Sequence, residues 1–345
     1  MRKKQIVMLK FPQPGNVKTR LIPALGAGRA CALYENLVRH TLDAADAFAR
    51  ETGAHVEIRL AHSPGEAAAK SWLGEGRRIR EQGEGHLGER MERAVENAFA
   101  EADAVVVIGA DCPGLTAAHL HAAFAELSAA PVVLGPARDG GYYLIGLGEF
   151  IPALFRDISW STEHVLCQTQ AAAAAAGANH RLLEPLHDLD VAADLPAWAA
   201  TPAARAAGRG GVTVIIPSLN EERYLPATLK AVLRARPHEV VVVDGGSADA
   251  TVAIARAHDV TVLSTPAGRA AQMNAGAAIA TGQFLLFLHA DTLLPDDYPA
   301  QVRATLNQPG VVGGAFGFAL ATSFPGRRTI ERGTNWRARH RQLPY

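Results

Sequence analysis

Val105, Val106, Val107 and Ile108 form a short, wholly apolar run that ends in Gly109-Ala110-Asp111-Cys112-Pro113-Gly114. The pattern predicts a central strand of a parallel sheet, buried on both faces and stopping at a turn. Asp111 falls just past the strand's carboxyl end, where open α/β sheets hold their ligands. The design returns later: Phe284 to Leu288 is apolar, His289-Ala290-Asp291 follows, and Pro295 comes next. A carboxylate delivered in this way suits a hard cation that must also touch a phosphate. Either aspartate alone could cap a helix; recurrence in matching contexts favours metal sites at Asp111 and Asp291.

The cations that would meet the phosphate lie near the N-terminus. Gln5 to Leu9 reads as a first strand, and Pro12, Pro14 and Gly15 forbid helix after it. Lys18 and Arg20 follow, before a helical stretch from Arg29 to Arg50. A strand, a glycine-containing loop with cations and a helix N-terminus make an anion site; a solvated basic loop is the blander alternative. Gln82-Gly83-Glu84-Gly85-His86-Leu87-Gly88 opens an amphipathic helix, and its glycines let backbone approach a flat base or sugar. Ala137-Arg138-Asp139-Gly140-Gly141-Tyr142-Tyr143 joins an acid, paired glycines and two aromatics after a short strand at Pro131 to Pro136, and suits a pocket wall. Asp190, in His187-Asp188-Leu189-Asp190, is either a further metal ligand or the N-cap of a helix beginning near Ala192.

Elements of two domains are needed to position these residues. A chain of 345 residues is too long for one ordinary domain and suits two. With 48% hydrophobic and 20% charged residues it has the composition of a soluble globular protein, and its zero formal net charge gives no field pointing towards nucleic acid. Cys31, Cys112 and Cys167 follow no metal-ligand spacing and suit buried or free thiols in a reducing compartment. No signal-peptide core or membrane-length apolar stretch occurs, so a cytoplasmic location is expected.

The order of KxPxPGxVKTRL (Lys10 to Leu21), QGEGxLGERM (Gln82 to Met91), IGADCPGL (Ile108 to Leu115), GPARDGGYYLIGL (Gly135 to Leu147), WST (Trp160 to Thr162) and DLD (Asp188 to Asp190) resembles the DUF2064 family. That family is also called selenodomain-associated transferase 1, and is similar to guanylyltransferase-type and molybdenum-cofactor nucleotidyltransferases. The resemblance implies a nucleotide-diphospho-sugar transferase fold of the GT-A type, with Lys18 and Arg20 on phosphates and Asp111 and Asp190 on the metal. Gly15, Gln82, Gly83, Gly88, Gly140, Gly141 and Tyr142 are the expected substrate-binding positions around them. Two departures stand out: His86 where the family usually has Asp, and Val191-Ala192-Ala193 in place of a Thr-Pro-Glu run.

Pro196 to Gly211 is rich in Pro, Gly and Ala without apolar periodicity, and reads as an interdomain linker. The chain then restarts with a strand from Val212, ended by Pro217, and Ser218-Leu219-Asn220-Glu221-Glu222 leads into a helix. A second strand, Glu239 to Val243, ends in Asp244-Gly245-Gly246, which lets a carboxylate receive base or ribose donors. VTVIIPSLNE, VVVDGGSADAT, GRAAQMNAGA and FLLFLHAD resemble the family-2 glycosyltransferases, especially the selenodomain-associated transferase 2 subset. The resemblance implies a UDP-type or similar nucleotide sugar with Mg²⁺ or Mn²⁺. It places Pro217, Asn220, Glu221 and Asp244 at the nucleoside, Arg269 and Asn274 in the donor site, and Asp291 on the metal. His289 stands at the first acid of the usual D-x-D. The family's catalytic base lies in an E-D pair after a GDQ loop. No such pair occurs here, where Asp296, Asp297 and Glu331 are the only later acids, and the domain reads as truncated.

The expected architecture is therefore α/β: two tandem GT-A-like, Rossmann-like domains, residues 1–195 and 212–345, with mostly parallel sheets and flanking helices. The second is expected to be a glycosyltransferase, and the first a nucleotidyl- or glycosyltransferase using a nucleoside triphosphate or a UDP- or GDP-type sugar. The alternative class is a module that binds nucleotide sugars without turnover. The acceptor and the oligomeric state are not encoded in any motif. Arg327, Arg328, Arg332, Arg337, Arg339 and Arg341, with Ile330 and Trp336, make either a weak lipid-surface contact or a solvated helix.

Overall fold

The computed structural model describes residues 1–341, without the side chains of Arg339 and Arg341; the last four residues of the expected second domain and those two side chains of the basic tail lie outside the described part. The first half runs β1 (Lys3–Lys10), α1 (Ile22–Leu25), α2 (Ala27–Thr52), β2 (His55–Ala61), α3 (Glu66–Leu73), β3 (Arg78–Glu81), α4 (Leu87–Phe99), β4 (Ala104–Ile108), α5 (Ala117–Glu126), β5 (Val132–Pro136), β6 (Tyr142–Leu147), α6 (Val165–Ala175) and β7 (His180–Leu182). Next come α7 (Leu195–Ala199) and α8 (Pro202–Ala207). The second half runs β8 (Val212–Ser218), α9 (Leu225–Arg234), β9 (Glu239–Asp244), α10 (Thr251–Arg256), β10 (Thr261–Ser264), α11 (Arg269–Ile279), β11 (Phe284–Phe287), α12 (Tyr298–Leu306) and α13 (Arg327–Arg341).

Among the described residues there are two sheets, ordered β3-β2-β1-β4-β6-β5-β7 and β10-β9-β8-β11. The first four strands of the larger sheet repeat the order of the smaller one, all in parallel register. β4 is buried along its whole length, but only its β1 side is parallel; β6 pairs with it antiparallel. An apolar run reports burial, not the direction of its neighbour, so that part of the expectation fails. β11 is an edge strand with Leu285 and Phe287 exposed.

Period-two patterning splits each sheet between two cores. Val7, Leu9, Val106 and Ile108 pack with Val38, Leu42, Ala45 and Phe48 of α2, whereas Ile6, Val105 and Val107 pack with Met91, Val95 and Ala98 of α4. In the second sheet, Val214, Ile216, Val240 and Val242 meet Leu225, Leu229 and Val232 of α9. Its other face is covered differently. Ile215, Val241 and Val243 share one cluster with Leu25 of α1, Leu33 and Leu37 of α2, Trp198 of α7, Ala204 of α8 and Ile279 of α11. Arg29 of α2 reinforces the contact by donating to Val240 O at 3.3 Å and Thr261 Oγ1 at 3.0 Å.

The stretch expected as a linker, residues 196–211, thus contains a packed helical connection rather than an extended tether. Alanine is the strongest helix former, and its small side chain fits a groove between layers; the same composition reads as a spacer when only periodicity is considered. Among the described residues no helix is long and apolar enough to cross a membrane. On α13, Ile330 and Trp336 are exposed.

Candidate functional site

At the carboxyl ends of β1 and β4 the backbone brings three charged groups into contact. Lys18 Nζ lies 2.6 Å from Asp111 Oδ1 and 2.9 Å from Asp190 Oδ1, with its side chain only 4% exposed. Lys18 adopts a left-handed conformation, φ 46° and ψ 44°, which costs a non-glycine residue about 1–2 kcal/mol. The three residues after it form a short 3-10 turn through Leu21, which buries Leu21 and leaves Arg20 exposed, 3.9 Å from Asp190 Oδ2. Leu189 N donates to Asp111 O at 2.9 Å, locking the two acid-bearing segments side by side. Asp194 Oδ2 accepts from Asp190 N at 2.9 Å and Val191 N at 2.8 Å, so its carboxylate closes the turn.

Burial works against the Lys18 ammonium, but Asp111 and Asp190 together outweigh it and hold its pKa above the ordinary lysine value. Asp111 and Asp190 line a cleft of about 130 Å³ with Cys112, Asp139, Gly141, Tyr142 and Asp188. Burial, then Asp139, raises the Asp188 carboxyl, and Asp190 and Asp194 add to the rise. Burial pushes the Cys112 thiol well up, so it is no thiolate nucleophile at neutral pH. Asp139 comes from the stretch expected as a pocket wall, whereas Asp188 was not among the expected site residues. Its signal was present: Asp188 is two residues from Asp190, the spacing that puts side chains on one side of extended chain.

Several of the expected substrate-binding residues have structural roles. Gln82 is buried, and its amide nitrogen donates to Leu9 O at 2.9 Å and Arg59 O at 3.0 Å, so no donor is left for a ligand. A Cβ on Gly88 would fall 2.3 Å from Trp160 Nε1, and one on Gly140 2.2 Å from Glu163 O; both glycines serve close packing. Gly83 has φ +79° and faces Arg93, while Gly15, at φ +92°, is exposed in the Lys18 loop. His86 caps α4: its Nδ1 accepts from Gly88 N at 3.1 Å, and Glu89 Oε2 accepts from His86 N at 2.9 Å. An imidazole nitrogen thereby does the work of the aspartate it replaces.

In the second half the loops after β8 and β9 are laced together. Asn220, at φ +57°, accepts from Ala248 N at 2.9 Å and donates from its backbone to Ser247 Oγ; Glu221 N donates to Thr251 Oγ1 at 2.7 Å. Asp244 is buried, and its carboxylate accepts from Gly246 N at 3.0 Å and Ser247 N at 3.2 Å. Burial raises the Glu221 carboxyl, followed by the charges of Asp291 and Asp249, with His289 and Arg269 opposing the rise. Glu221, Asp249, Arg269, His289 and Asp291 therefore share one electrostatic neighbourhood, of which Asp249 was not expected. Asn274 is exposed on α11, two residues on from buried Gln272. Pro217 precedes the final residue of β8, which continues through Ser218.

Comparison with known proteins fits this division. Residues 43–162 match the family described as uncharacterized protein conserved in bacteria (DUF2064), and residues 213–344 match glycosyl transferase family 2. A crystal structure from Desulfovibrio desulfuricans G20, described as a candidate nucleotide-diphospho-sugar transferase, is 33% identical over 58% of this chain and 87% of its own, with a TM-score of 0.53. A PGL/p-HBAD biosynthesis glycosyltransferase of Mycobacterium bovis is 38% identical over 28% of this chain and 41% of its own length. An uncharacterized glycosyltransferase of Mycobacterium tuberculosis is 37% identical over 23% of this chain and 36% of its own. The chain thus spans about two fifths of the curated relatives it matches. The first half of the chain thus matches the DUF2064 family and a nucleotide-diphospho-sugar transferase relative, and the second half matches glycosyl transferase family 2.

Proposed function

We propose that the chain is a divalent-metal-dependent, bifunctional transferase of nucleotide-activated sugars, with a nucleotide site in each half. The observation that carries this reading is Lys18 held between Asp111 and Asp190, with Arg20 beside them, at the carboxyl ends of β1 and β4. Among the described residues no group of three or more His, Cys, Asp or Glu forms a metal cage. Two carboxylates nonetheless fit Mg²⁺ or Mn²⁺, because such ions are often held by one or two carboxylates plus substrate phosphates. Asp111 and Asp190 would hold the ion, which supplies charge neutralisation at the phosphates when bound. Lys18, between the two carboxylates, would be the cation nearest a phosphate oxygen there, and exposed Arg20, 3.9 Å from Asp190, would add a second donor to the same group. We assign nucleotidyl transfer to the first half and nucleotide-sugar use to the second, where Asp291 would hold the ion and Glu221 and Arg269 flank the ligand.

A second reading, nucleotide-sugar binding without turnover, is favoured in the second half by the later acids. Asp296 pairs with Arg234, Asp297 accepts from Gln301 Nε2, and Glu331 pairs with Arg327. Each of these carboxylates is thus engaged by a neighbouring side chain rather than directed at the Glu221–Asp291 neighbourhood by any hydrogen bond among the described residues. Incubation with each NTP, Mg²⁺ and sugar 1-phosphates tests the first assignment: pyrophosphate release is expected. Silence with all four NTPs together with tight nucleotide-sugar binding would reverse it to glycosyl transfer.

A further inference from the structure

Two buried glutamines stand in the same relation to their sheets. Gln272, on the first turn of α11, donates from its amide nitrogen to Ser218 O at 2.8 Å and Val243 O at 2.7 Å. Gln82, just past β3, donates to Leu9 O at 2.9 Å and Arg59 O at 3.0 Å. Ser218 and Val243 belong to the paired strands β8 and β9, and Leu9 and Arg59 to the paired strands β1 and β2. These pairs hold equivalent places in the two sheet orders. Both glutamines also come from the same connection, β3 to β4 and β10 to β11, the crossover between the first and fourth strands of the shared order. The local sequences differ, one a loop and one a helix, yet the same two-carbonyl bridge results.

At β8 and β9 the bridge sits at the last register pair, whereas at β1 and β2 it sits one pair inside the last, Lys10 with Ala61. The last register pair of β8 and β9 is Ser218 with Asp244, and beyond it the two strands become the loops carrying Asn220-Glu221 and Gly245-Gly246. A primary amide has two N–H donors, enough to serve one carbonyl on each strand. The strand ends cannot splay without leaving buried carbonyls unpaired. The fit is close: a Cβ on Gly245 would fall 3.1 Å from Gln272 Nε2.

We propose that Gln272 and Gln82 are positioning residues: Gln272 clamps the strand ends that carry Asn220-Glu221 and Asp244, and Gln82 holds β1, which leads into the Lys18 loop, against β2, so that each fixes one wall of a slot that a nucleoside diphosphate or triphosphate enters. The inference that the slot takes a nucleotide rests on the functional reading above; the clamp itself does not. Hydrogen exchange by mass spectrometry on the whole chain reads the clamp without ligand, and titration with UDP and Mn²⁺ reads its consequence.

Gln272→Leu should speed exchange in residues 218–222 and 244–248 while leaving 212–216 and the first half as in the wild type. UDP affinity should fall about tenfold, the worth of roughly one hydrogen bond to each strand end. Gly245→Ala, which presses on the amide from the other side, should give a weaker form of the same pattern and serves if Gln272→Leu fails to fold. Gln82→Leu should give the mirror image, confined to the ends of β1 and β2. Unchanged exchange in both loops, or a uniform rise along β8 and β9, would overturn the clamp. Loop-confined exchange in a chain whose wild type ignores UDP would support the clamp and overturn the nucleotide reading instead.

Discussion

The two halves repeat four strands in the same order and then diverge in how they treat charge. In the first, a buried lysine lies between Asp111 and Asp190, so the acids are neutralised from within. In the second, Glu221 lies in the fields of Asp291 and Asp249, opposed by Arg269 and His289. Asp244 is already engaged by the backbone of its own loop. One strand-end geometry thus supports two electrostatic settings: an internal lysine between the acids of the first half, and acids flanked by Arg269 and His289 in the second. The halves also differ in self-sufficiency, because α1, α2, α7 and α8 complete the core behind β8 and β9.

The largest effect should come from that shared core. Leu37, 1% exposed, belongs to α2 yet sits in the cluster with Val241 and Val243. Leu37→Ala should cost about 2–5 kcal/mol. Calorimetry should show one transition moved down as a unit; two transitions, with one unmoved, would make the halves independent. Lys18→Met separates the two electrostatic settings. Freed of their resident cation, Asp111 and Asp190 should bind Mn²⁺ alone about tenfold more tightly, while Mn²⁺-dependent NTP binding weakens by a similar factor. Parallel changes in both titrations would remove the exchange of lysine for metal from the account.

The pH dependence is smaller and its sign is fixed by the direction of the shift. Lys18 is raised in the folded state, so its contribution is complete below the ordinary lysine value of 10.5 and is lost as pH rises through its folded value. Denaturant melts in that alkaline window should lose their extra slope in Lys18→Met. Asp188 is raised as well, so stability falls as pH climbs from its ordinary value of 3.8, and Asp188→Asn should flatten that fall. The smallest effect separates two residues of α11. Asn274→Ala should alter UDP affinity by less than about twofold, whereas Arg269→Ala should weaken it several-fold; equal losses would return Asn274 to the site.

Much of this was legible in residue order. Strands, their carboxyl-end acids and the Lys18 loop follow from apolar runs that stop at Gly, Pro and Asp. The pairing of β4 with antiparallel β6 was not, because YYLIGL and VVVI carry the same burial signal whatever the strand direction. Gln82 was expected to touch ligand and instead ties β1 to β2. Motif position locates a residue near a site but does not say whether its side chain points into the cleft or back into the sheet. The helical connection at 196–211 is not legible from composition, because alanine is at once a spacer and the best helix former.

The central claim is that each half holds one divalent cation through the aspartate at the end of its β4 or β11 strand. Counting bound Mn²⁺ by electron paramagnetic resonance on the full chain, with UDP and GTP in excess, tests it most directly. Two ions per chain are expected, with one lost in Asp111→Asn, the other lost in Asp291→Asn, and neither variant unfolded. A count that neither substitution changes would contradict the account.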